Sequence, residues 1–502
     1  MPWKDWIDVS AEPAASALLL AILGVLIAGS VLFSRSAERL GVPVVLLFLI
    51  LGMLGGSEGF GQIVFEDHQF AVRMGAMALV LILFDGGLNT SVRSIRQVIA
   101  PSAVLATIGV ALTAALVATC ARVLGVPWPQ ALLLGAVVSS TDAAAVFAVL
   151  RGGRLQLRER LGRTLEVESC INDPMAVILT TSMIAMLTSE QPMGLWLLAQ
   201  IPIQLLVGAV MGLLFGFVGK VLLQNVKLAT PGLYPALTLA MAFISYGGTT
   251  LLYGSGFLAV YATAVVLGNA NLSYRSGLTR VHDALAWLSQ IGMFLMLGLL
   301  VFPSRVMEVA WVGLGLALFL GCIARPAAVW LCLLPFKFPP KEVAYIGWIG
   351  LRGAVPIILA TFPLLAQVEG AEHVFNLVFF IVVFSSLFPG ATIRPVTRWL
   401  GVQTPEKPAP AAVLEINSLH PLGGQLVSFF IDRSLAVCGA QLADIEFPPQ
   451  AAVVLIVRGK ALVAARGNTE LQEGDHVYVF FRPEDRPFME LLFGHPEESP
   501  DS

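Results

Sequence analysis

The sequence predicts an α-helical polytopic membrane protein with a small α/β domain at its C-terminus. Three observations predict this class. The 502-residue chain is 57% hydrophobic and only 13% charged, whereas soluble domains contain roughly a quarter charged residues. Apolar stretches of about 20 residues, the length a helix needs to cross a bilayer, recur along most of the chain. After residue 399 the composition changes to a Pro-rich segment and then to short β-type runs.

Thirteen apolar stretches are long enough to serve as transmembrane helices. Their approximate limits are 15–33, 41–56, 70–88, 99–121, 129–150, 166–188, 195–219, 231–250, 256–270, 284–302, 309–334, 343–366 and 374–393. The loops between them alternate between basic and acidic, and the most basic one has five arginines between residues 151 and 163. Because basic loops face the cytoplasm, the N-terminus is predicted outside and the C-terminus inside.

Thirteen spans allow two six-span halves joined by one extra span. Span n and span n+7 then run in opposite directions, which is the geometry of an inverted repeat. The fifth and twelfth spans correspond in this pairing, and small, polar or Pro residues interrupt both, namely Ser139, Ser140, Thr141 and Asp142 in one and Gly350, Arg352, Gly353 and Pro356 in the other. Such paired interruptions predict broken helices at a transport site.

Carboxylates lie inside two of the apolar stretches, Asp142 in the fifth span and Glu168 and Asp173 in the sixth. A carboxylate within a membrane is costly and by default marks an ion or proton path. An alternative is that these acids lie at helix ends in the headgroup layer, but both clusters are well inside their apolar runs. We therefore interpret them as parts of an ion pathway.

The sixth span presents an oxygen-rich face. The four-residue spacings from Ser169 to Asp173 and from Glu168 to Asn172 place these side chains on neighbouring turns of one helix face. Their oxygens, together with Thr141 and Asp142 of the broken span, suit a monovalent cation. Asp173 is the predicted carrier, because a carboxylate that holds either a proton or a cation couples the two fluxes by competition. Its neighbour is Asn172 rather than a second acid, which predicts one cation per proton.

Two arginines within apolar spans need partners. Arg325 is predicted to pair with Glu168, since an unpaired buried charge is strongly destabilising. Arg352 is predicted to balance either Asp142 or the C-terminal ends of the half-helices, or else to extend to the interface. Asp85 in the third span is predicted either to guard the inner mouth of the pathway or to be an interfacial acid before a Gly-Gly turn.

The predicted domains are a transmembrane domain over 1–398, a linker over 399–412 and a cytoplasmic α/β domain over 413–496. The runs QLVSFFI, AAVVLIV, KALVAAR and HVYVFF predict four strands, and PEDRPFMELLFG predicts a closing helix. The five cysteines show no metal-binding spacing, and no hydrolytic motif or nucleotide-binding loop is present in the sequence. We therefore expect a non-enzyme without cofactors or nucleic-acid partners, whose only metal ligand is the transported cation at Asp173.

The motifs SSTDAAAVFAVL, EVESCINDP, CIAR and GLRGAV, in this order, resemble the monovalent cation/proton antiporter superfamily and its NhaP-type members over roughly residues 15–395. The resemblance implies thirteen helices, a homodimer and electroneutral exchange. It also implies that Asp173 binds the ion, that Thr141, Asp142, Ser169 and Asn172 line the site, and that Asp85 matches an acidic position of the third helix. Glu168 and Arg325 match an interhelical ion pair. Cys170 and Ile171 stand where leucines are usual in the family.

The C-terminal stretch ARGNTELQEGDHVYVFF resembles the RCK-C (TrkA-C) regulatory domain. Together the two resemblances imply the cell-volume-regulation subgroup of antiporters in the bacterial inner membrane, with K+ favoured over Na+ and a small-molecule regulator of the tail. One alternative is a Na+-specific proton antiporter. Another is an RCK-regulated potassium channel, which needs a TVGYG-type filter that the sequence does not contain. A transporter of organic anions is disfavoured because such solutes require positive ligands.

Overall fold

The computed structural model describes residues 17, 20–21, 24–32, 43–63, 65, 67–152, 155–188, 195–226, 228, 230–270, 272, 274–404, 424–433, 435–459 and 461–494. Residues 1–14, parts of the first predicted span and the stretch 405–423 lie outside these residues. Residues 24–32 within the first predicted span are helical. The number of thirteen spans therefore stays a prediction, whereas the helical membrane fold is confirmed.

Helices occupy the positions of all the other predicted spans. They are α1 Val44–Gly55, α2 His68–Asn89, α3 Val92–Val104, α4 Val110–Val123, α5 Trp128–Val137, α6 Ala143–Gly152, α7 Glu159–Thr188, α8 Leu195–Asn225, α9 Leu233–Leu251, α10 Gly256–Gly268, α11 Arg275–Leu299, α12 Pro303–Glu308, α13 Ala310–Phe319, α14 Arg325–Leu333, α15 Pro340–Trp348, α16 Ala354–Leu365 and α17 Ala371–Leu400. By length and composition, six of the described helical stretches can each cross a membrane alone: His68–Asn89, Ile95–Val123, Glu159–Thr188, Gln200–Asn225, Ala310–Phe336 and Ala371–Leu400.

The two predicted interruptions are confirmed as breaks in helices. The fifth span consists of α5 and α6 with non-helical backbone at 138–142, and the twelfth consists of α15 and α16 with non-helical backbone at 349–353. The prediction was wrong about Pro356, which lies in the first turn of α16. A proline is tolerated there because the first amides of a helix have no intrahelical acceptor in any case.

Two π-helical turns also lie at corresponding positions of the fourth and eleventh spans. Leu105–Gly109 joins α3 to α4, and Leu320–Ala324 joins α13 to α14 directly before Arg325. Single π-turns inside α-helices are rare and are often found at functional sites. Their positions fit the predicted pairing of span n with span n+7.

The helices pack in two groups. One contains α1, α2 and α8 to α11, and the other contains α3 to α7 and α13 to α17, including both broken helices. Within the first group, a Cβ at Gly208 would lie 2.7 Å from the Ser255 carbonyl oxygen, and one at Gly212 would lie 2.6 Å from that of Ala259. The small residues of α8 therefore allow close packing against α10.

The C-terminal domain contains the four predicted strands and the closing helix. Strands β3 Gln425–Phe430, β4 Ala452–Arg458, β5 Ala461–Ala464 and β6 Asp475–Phe481 form an antiparallel sheet in the order β3-β6-β4-β5, followed by α18 Arg486–Phe493. Its core includes Phe429, Ile456, Val479 and Phe493. A second sheet, of only two strands, pairs β1 Gln156–Leu157 with β2 Gln403–Thr404, which directly follows α17.

Candidate cation-binding site

The two broken helices meet at their non-helical segments. The backbone amide of Asp142 donates to the carbonyl oxygen of Leu351 at 2.8 Å, and the Nε of Arg352 donates to the carbonyl oxygen of Val138 at 3.1 Å. Each break thus satisfies a backbone group of the other, which is needed because unpaired backbone groups at membrane depth are costly.

Arg352 lies between the C-terminal ends of α5 and α15, the first halves of the two broken helices. Besides Val138 beyond α5, it donates from Nη1 to the carbonyl oxygen of Gly350 beyond α15. Only 2% of its surface is exposed, so it does not extend to the interface. Of the alternatives left open by the sequence, the structure selects the half-helix ends, whose partial negative charge an arginine compensates.

Asp142 has the complementary position at the start of a second half-helix. Its Oδ1 accepts from the backbone amide of Ala145 at 3.1 Å, which caps α6. Its other carboxylate oxygen lies where a Cβ on Gly353, the residue before α16, would collide with it. The partial positive charge of helix N-termini therefore compensates the Asp142 carboxylate.

Ser169 of α7 connects the first break to the helix with the predicted carrier. Its hydroxyl donates to the Thr141 carbonyl oxygen at 2.9 Å and accepts from the Ala143 amide at 3.1 Å. One side chain thus satisfies a carbonyl group within the break and an amide at the start of α6, because a hydroxyl can donate and accept at the same time.

The orientation of the Asn172 amide is fixed by its neighbours. Its Nδ2 donates to Thr141 Oγ1 at 2.6 Å and to Glu168 Oε1 at 3.2 Å. The Glu168 carboxylate needs a donor, so the amide nitrogen faces it and the Asn172 Oδ1 points elsewhere. This Oδ1 is fully buried and has no hydrogen-bond partner among the described residues.

Asp173 supplies the second buried oxygen without a donor. Among the described residues, its Oδ1 and the hydroxyl of Ser140 also have no hydrogen-bond partner. The negative charges of Asp142 and Glu168 repel that of Asp173, and the hydroxyl of Ser140 is the nearby group that favours the charged carboxylate. Oxygens left unpaired at such a cost suit a cation, which needs oxygen ligands and no donors.

Glu168 and Arg325 form a buried ion pair, as the sequence suggested. Arg325 Nη2 lies 2.8 Å from Oε1 and 2.9 Å from Oε2 of Glu168, and both side chains are 1% exposed. The pair joins α7 to α14 immediately after the second π-turn. It fixes Glu168, which in turn accepts a hydrogen bond from Asn172, and the structural role of the pair stays a prediction.

Asp85 lies apart from these residues. It accepts a weak hydrogen bond from Asn89 at 3.4 Å and lines a cavity of about 420 Å³ between α1, α2, α6 and α11. Ala144 and Ala145, next to Asp142, line the same cavity. Asp85 therefore borders a space that extends from the start of α6, and its part in the pathway stays a prediction.

Sequence reasoning placed Thr141, Asp142, Ser169, Asn172 and Asp173 together, and the structure brings them together. It did not assign a site role to Ser140, although this residue was recognised as part of the interruption. It also missed the close approach of Gly353 to Asp142, for which the glycine of the GLRGAV motif was the available signal. The described residues contain no cluster of three or more His, Cys, Asp or Glu side chains arranged for a metal ion.

Two crossed broken helices, with a partly buried carboxylate and unpaired oxygens at the crossing, define a secondary cation transporter. Residues 18–399 match the family described as sodium/hydrogen exchanger, transmembrane, and residues 426–492 match the TrkA-C domain. The chain belongs to the sodium/hydrogen exchanger family and has a TrkA-C domain at its C-terminus.

Several similar proteins are named as antiporters. The chain is 40% identical over 472 residues to the K(+)/H(+) antiporter NhaP of Alkalimonas amylolytica, covering 94% of this chain and 82% of that protein. It is 40% identical over 484 residues to the K(+)/H(+) antiporter NhaP2 of Shewanella oneidensis, covering 95% and 84%. Its structure resembles that of the sodium proton antiporter MjNhaP1 from Methanocaldococcus jannaschii at pH 8, with a TM-score of 0.65 and 26% identity over 74% of this chain and 99% of the other.

Proposed function

We propose that the chain exchanges one monovalent cation, preferably K+, for one proton across the bacterial inner membrane. The observation that supports this most strongly is the contrast between the two aspartates of the site. Helix N-termini compensate Asp142, whereas Asp173 Oδ1 is buried and has no hydrogen-bond partner in the part of the chain that the structure describes. Asp173 is therefore the group whose charge a proton or a cation must neutralise.

Competition for Asp173 couples the two fluxes. Desolvation disfavours the charged form of a carboxylate. The partly buried Asp173 therefore binds either a proton or a cation, and the empty charged form is disfavoured. In the cation-bound form, Asn172 Oδ1 and the Ser140 hydroxyl add neutral oxygen ligands. Each form has the same net charge, and the exchange of one for the other is electroneutral.

K+ is the proposed substrate because two relatives that match over more than nine-tenths of this chain are named K(+)/H(+) antiporters and because the chain has a TrkA-C domain. Na+ is the second candidate, since the similar solved structure is of a sodium proton antiporter. The same oxygens serve either ion, and the difference lies in the size of the cavity they enclose.

The orientation in the membrane is supported by a contact between distant parts of the chain. Strand β2, directly after the last helix, pairs with β1 within the arginine-rich loop. Both therefore lie on one face of the molecule, and the positive-inside rule assigns this face to the cytoplasm. We accordingly place the C-terminal domain in the cytoplasm and the N-terminus in the periplasm.

The proposal includes a homodimer and a small-molecule regulator of the C-terminal domain, both implied by family resemblance. It includes no chemical reaction, so the protein is a transporter rather than an enzyme and needs no cofactor. Its physiological roles would be pH, potassium and cell-volume homeostasis.

The test is proton movement in inverted membrane vesicles that contain the protein. Respiration acidifies the interior of these vesicles and thereby quenches a pH-sensitive dye. If added K+ or Na+ enters in exchange for protons that leave the interior, the fluorescence of the dye recovers. We expect dequenching with K+, undiminished when the membrane potential is clamped. A response to Na+ alone would support the second candidate, and cation flux without proton movement would support a channel.

A further inference from the structure

The two-stranded sheet β1–β2 connects the exit of the last helix to the site helices. Strand β1 lies in the loop between the half-helix α6 and helix α7, which contains Asp173. Strand β2 follows α17 and precedes the stretch 405–423 that leads to the C-terminal domain. Gln156 pairs with Thr404 and Leu157 with Gln403. We call residues 155–158 and 401–404 together the exit clasp.

Arg158 reinforces the exit clasp with three separate contacts. Its backbone amide donates to the Val402 carbonyl oxygen at 3.1 Å, and its Nη2 donates to the Gly401 carbonyl oxygen at 3.1 Å. Its Nη1 lies 3.3 Å from Oε1 of Glu342, a buried residue in the first turn of α15. One side chain therefore joins the end of α17, the α6–α7 loop and the second broken helix.

Packing beneath the exit clasp adds to these polar contacts. Val402 is 1% exposed and belongs to a hydrophobic cluster with Leu161 of α7 and Ile346 of α15, against which Leu157 also packs. Nearby, Arg394 of α17 donates from Nε to the Val149 carbonyl oxygen of α6 at 3.0 Å. The segment at which the chain exits the membrane domain is therefore attached to elements of both broken helices. It is not simply the free end of α17.

We propose that the exit clasp is a permanent joint through which the C-terminal domain acts on the transport site. A displacement applied at Thr404 is passed to β1 and through Arg158 to α15. From β1 it reaches α6, which begins next to Asp142, and α7, which contains Asp173. This inference rests on the proposed function for the meaning of the site, but the contacts of the joint are independent of the ion transported.

The joint behaves as one unit because its parts support one another. Two strands of two residues are not stable alone. The buried Val402 and the contacts of Arg158 keep these strands paired, and the joint need not open during transport. Chains of packed and hydrogen-bonded groups can carry coupling between distant sites, and the exit clasp is such a chain.

The first experiment is a double-variant cycle in the full chain. About ten Gly and Ser residues, which form a flexible linker, are inserted between positions 412 and 413 to lengthen the connection to the C-terminal domain. The insertion is made in the unmodified chain and in Arg158→Ala. We expect the insertion alone to change the K+/H+ exchange rate by about threefold or more, within the range of measured couplings. In the Arg158→Ala background, exchange persists and the insertion has no further effect.

The matched control is Arg160→Ala. Arg160 lies two residues away and contacts Phe336 and Phe338 instead of the chain exit, so the response to the insertion should remain. An insertion that changes nothing in the unmodified background, or the same response in Arg158→Ala, would overturn the proposal.

The second experiment fixes the joint and does not alter Arg158. Gln156→Cys and Thr404→Cys place cysteines at paired positions, where Cα separations of about 5.5 Å suit a disulfide. The oxidised protein should exchange ions at the rate of its reduced form and should still respond to the insertion. Loss of exchange on oxidation, reversed by a reductant, would mean that the joint must open, and failure to cross-link would mean that the strands are not paired; either contradicts the proposal. Each single-cysteine variant controls for the native thiols.

Hydrogen–deuterium exchange separates this inference from the proposed function. Peptides that cover 138–142 and 155–163 should change their deuterium uptake on insertion, and Arg158→Ala should abolish that change. This measurement needs no transported ion. If the protein exchanges neither K+ nor Na+ for protons, the proposed function is contradicted. The deuterium uptake of these peptides still tests whether the exit clasp transmits the effect of the insertion.

Discussion

Arg352 donates a hydrogen bond from its Nε to the carbonyl oxygen of Val138 at 3.1 Å, although 214 positions separate the two residues. The contact joins the breaks of the two interrupted helices. With Asp142 at the N-terminus of α6, it leaves the ends of the half-helices electrically compensated by groups of opposite sign. Asp173 lies beside this arrangement and takes no part in these contacts, as its proposed role as the carrier of the transported ions requires.

Replacing Arg352 should disrupt the crossing. Arg352→Ala leaves the carbonyl oxygens of Val138 and Gly350 without donors, at a cost of roughly 1.5–3 kcal/mol for each hydrogen bond from a charged group. We expect a lower thermal unfolding midpoint in detergent and no ion exchange. Arg352→Lys retains the charge but not the planar guanidinium group with its several donors. Its unfolding midpoint should therefore lie between that of Arg352→Ala and that of the unmodified protein. A midpoint for Arg352→Ala equal to that of the unmodified protein would contradict the role given to the contact.

The Glu168–Arg325 pair should be costly to break and cheaper to remove as a whole. Glu168→Gln or Arg325→Met leaves one buried charge unpaired, which destabilises by about 3–5 kcal/mol. The double variant leaves neither charge of the pair behind, so its thermal midpoint should be higher than those of the single variants. The three midpoints, compared with the unmodified protein, form a double-mutant cycle. Additive losses in the double variant would show that the two side chains do not depend on each other.

A single methyl group at Gly353 should slow transport strongly. A Cβ there would collide with the Asp142 carboxylate and push it away from the start of α6. We expect Gly353→Ala to be expressed and folded but to exchange ions at least tenfold more slowly, roughly the effect of 1.4 kcal/mol. Gly292→Ala is the matched control, because its Cβ would have no atom within 4 Å. Normal exchange by Gly353→Ala would mean that Asp142 does not need its present position.

Glu58 should make a pH-dependent contribution to stability. The hydroxyl and the backbone amide of Ser304 donate to its carboxylate and hold the pKa of Glu58 below its ordinary value of 4.5. Because a lowered pKa in the folded state favours folding only where the carboxylate is ionised, this contribution is complete above pH 4.5. It is lost as the pH falls through the lowered pKa. The difference in thermal midpoint between the unmodified protein and Ser304→Ala should therefore shrink in acid, and a constant difference would contradict this assignment.

The sequence was most informative where polar residues interrupt apolar stretches. Asp142, Arg352, Asn172 and Asp173 stand out because a bilayer disfavours such groups, so their presence alone indicated broken helices and an ion pathway. The sequence could not decide between the partners of Arg352. Both alternatives satisfy a buried cation, and only the three-dimensional path of the two breaks brings Val138 within reach.

Other features have no local signal at all. The pairing of Gln156 with Thr404 joins residues 248 positions apart through strands of two residues, too short to produce an alternating pattern. The π-turns at 105–109 and 320–324 occur in apolar runs that look the same as ordinary helix. Pro356 was misassigned because a proline in the first turn of a helix and one in a break look alike in a sequence.

The most direct test of the central claim is to compare the unmodified protein with Asp173→Asn in inverted vesicles. The substitution retains the size of the side chain but removes the group for which proton and cation compete. Addition of K+ should dequench the pH-sensitive dye with the unmodified protein and produce no response with Asp173→Asn, while both proteins show the same thermal midpoint and membrane content. Exchange that persists in Asp173→Asn would contradict the account, and Asp142 or Asp85 would then have to be the carrier.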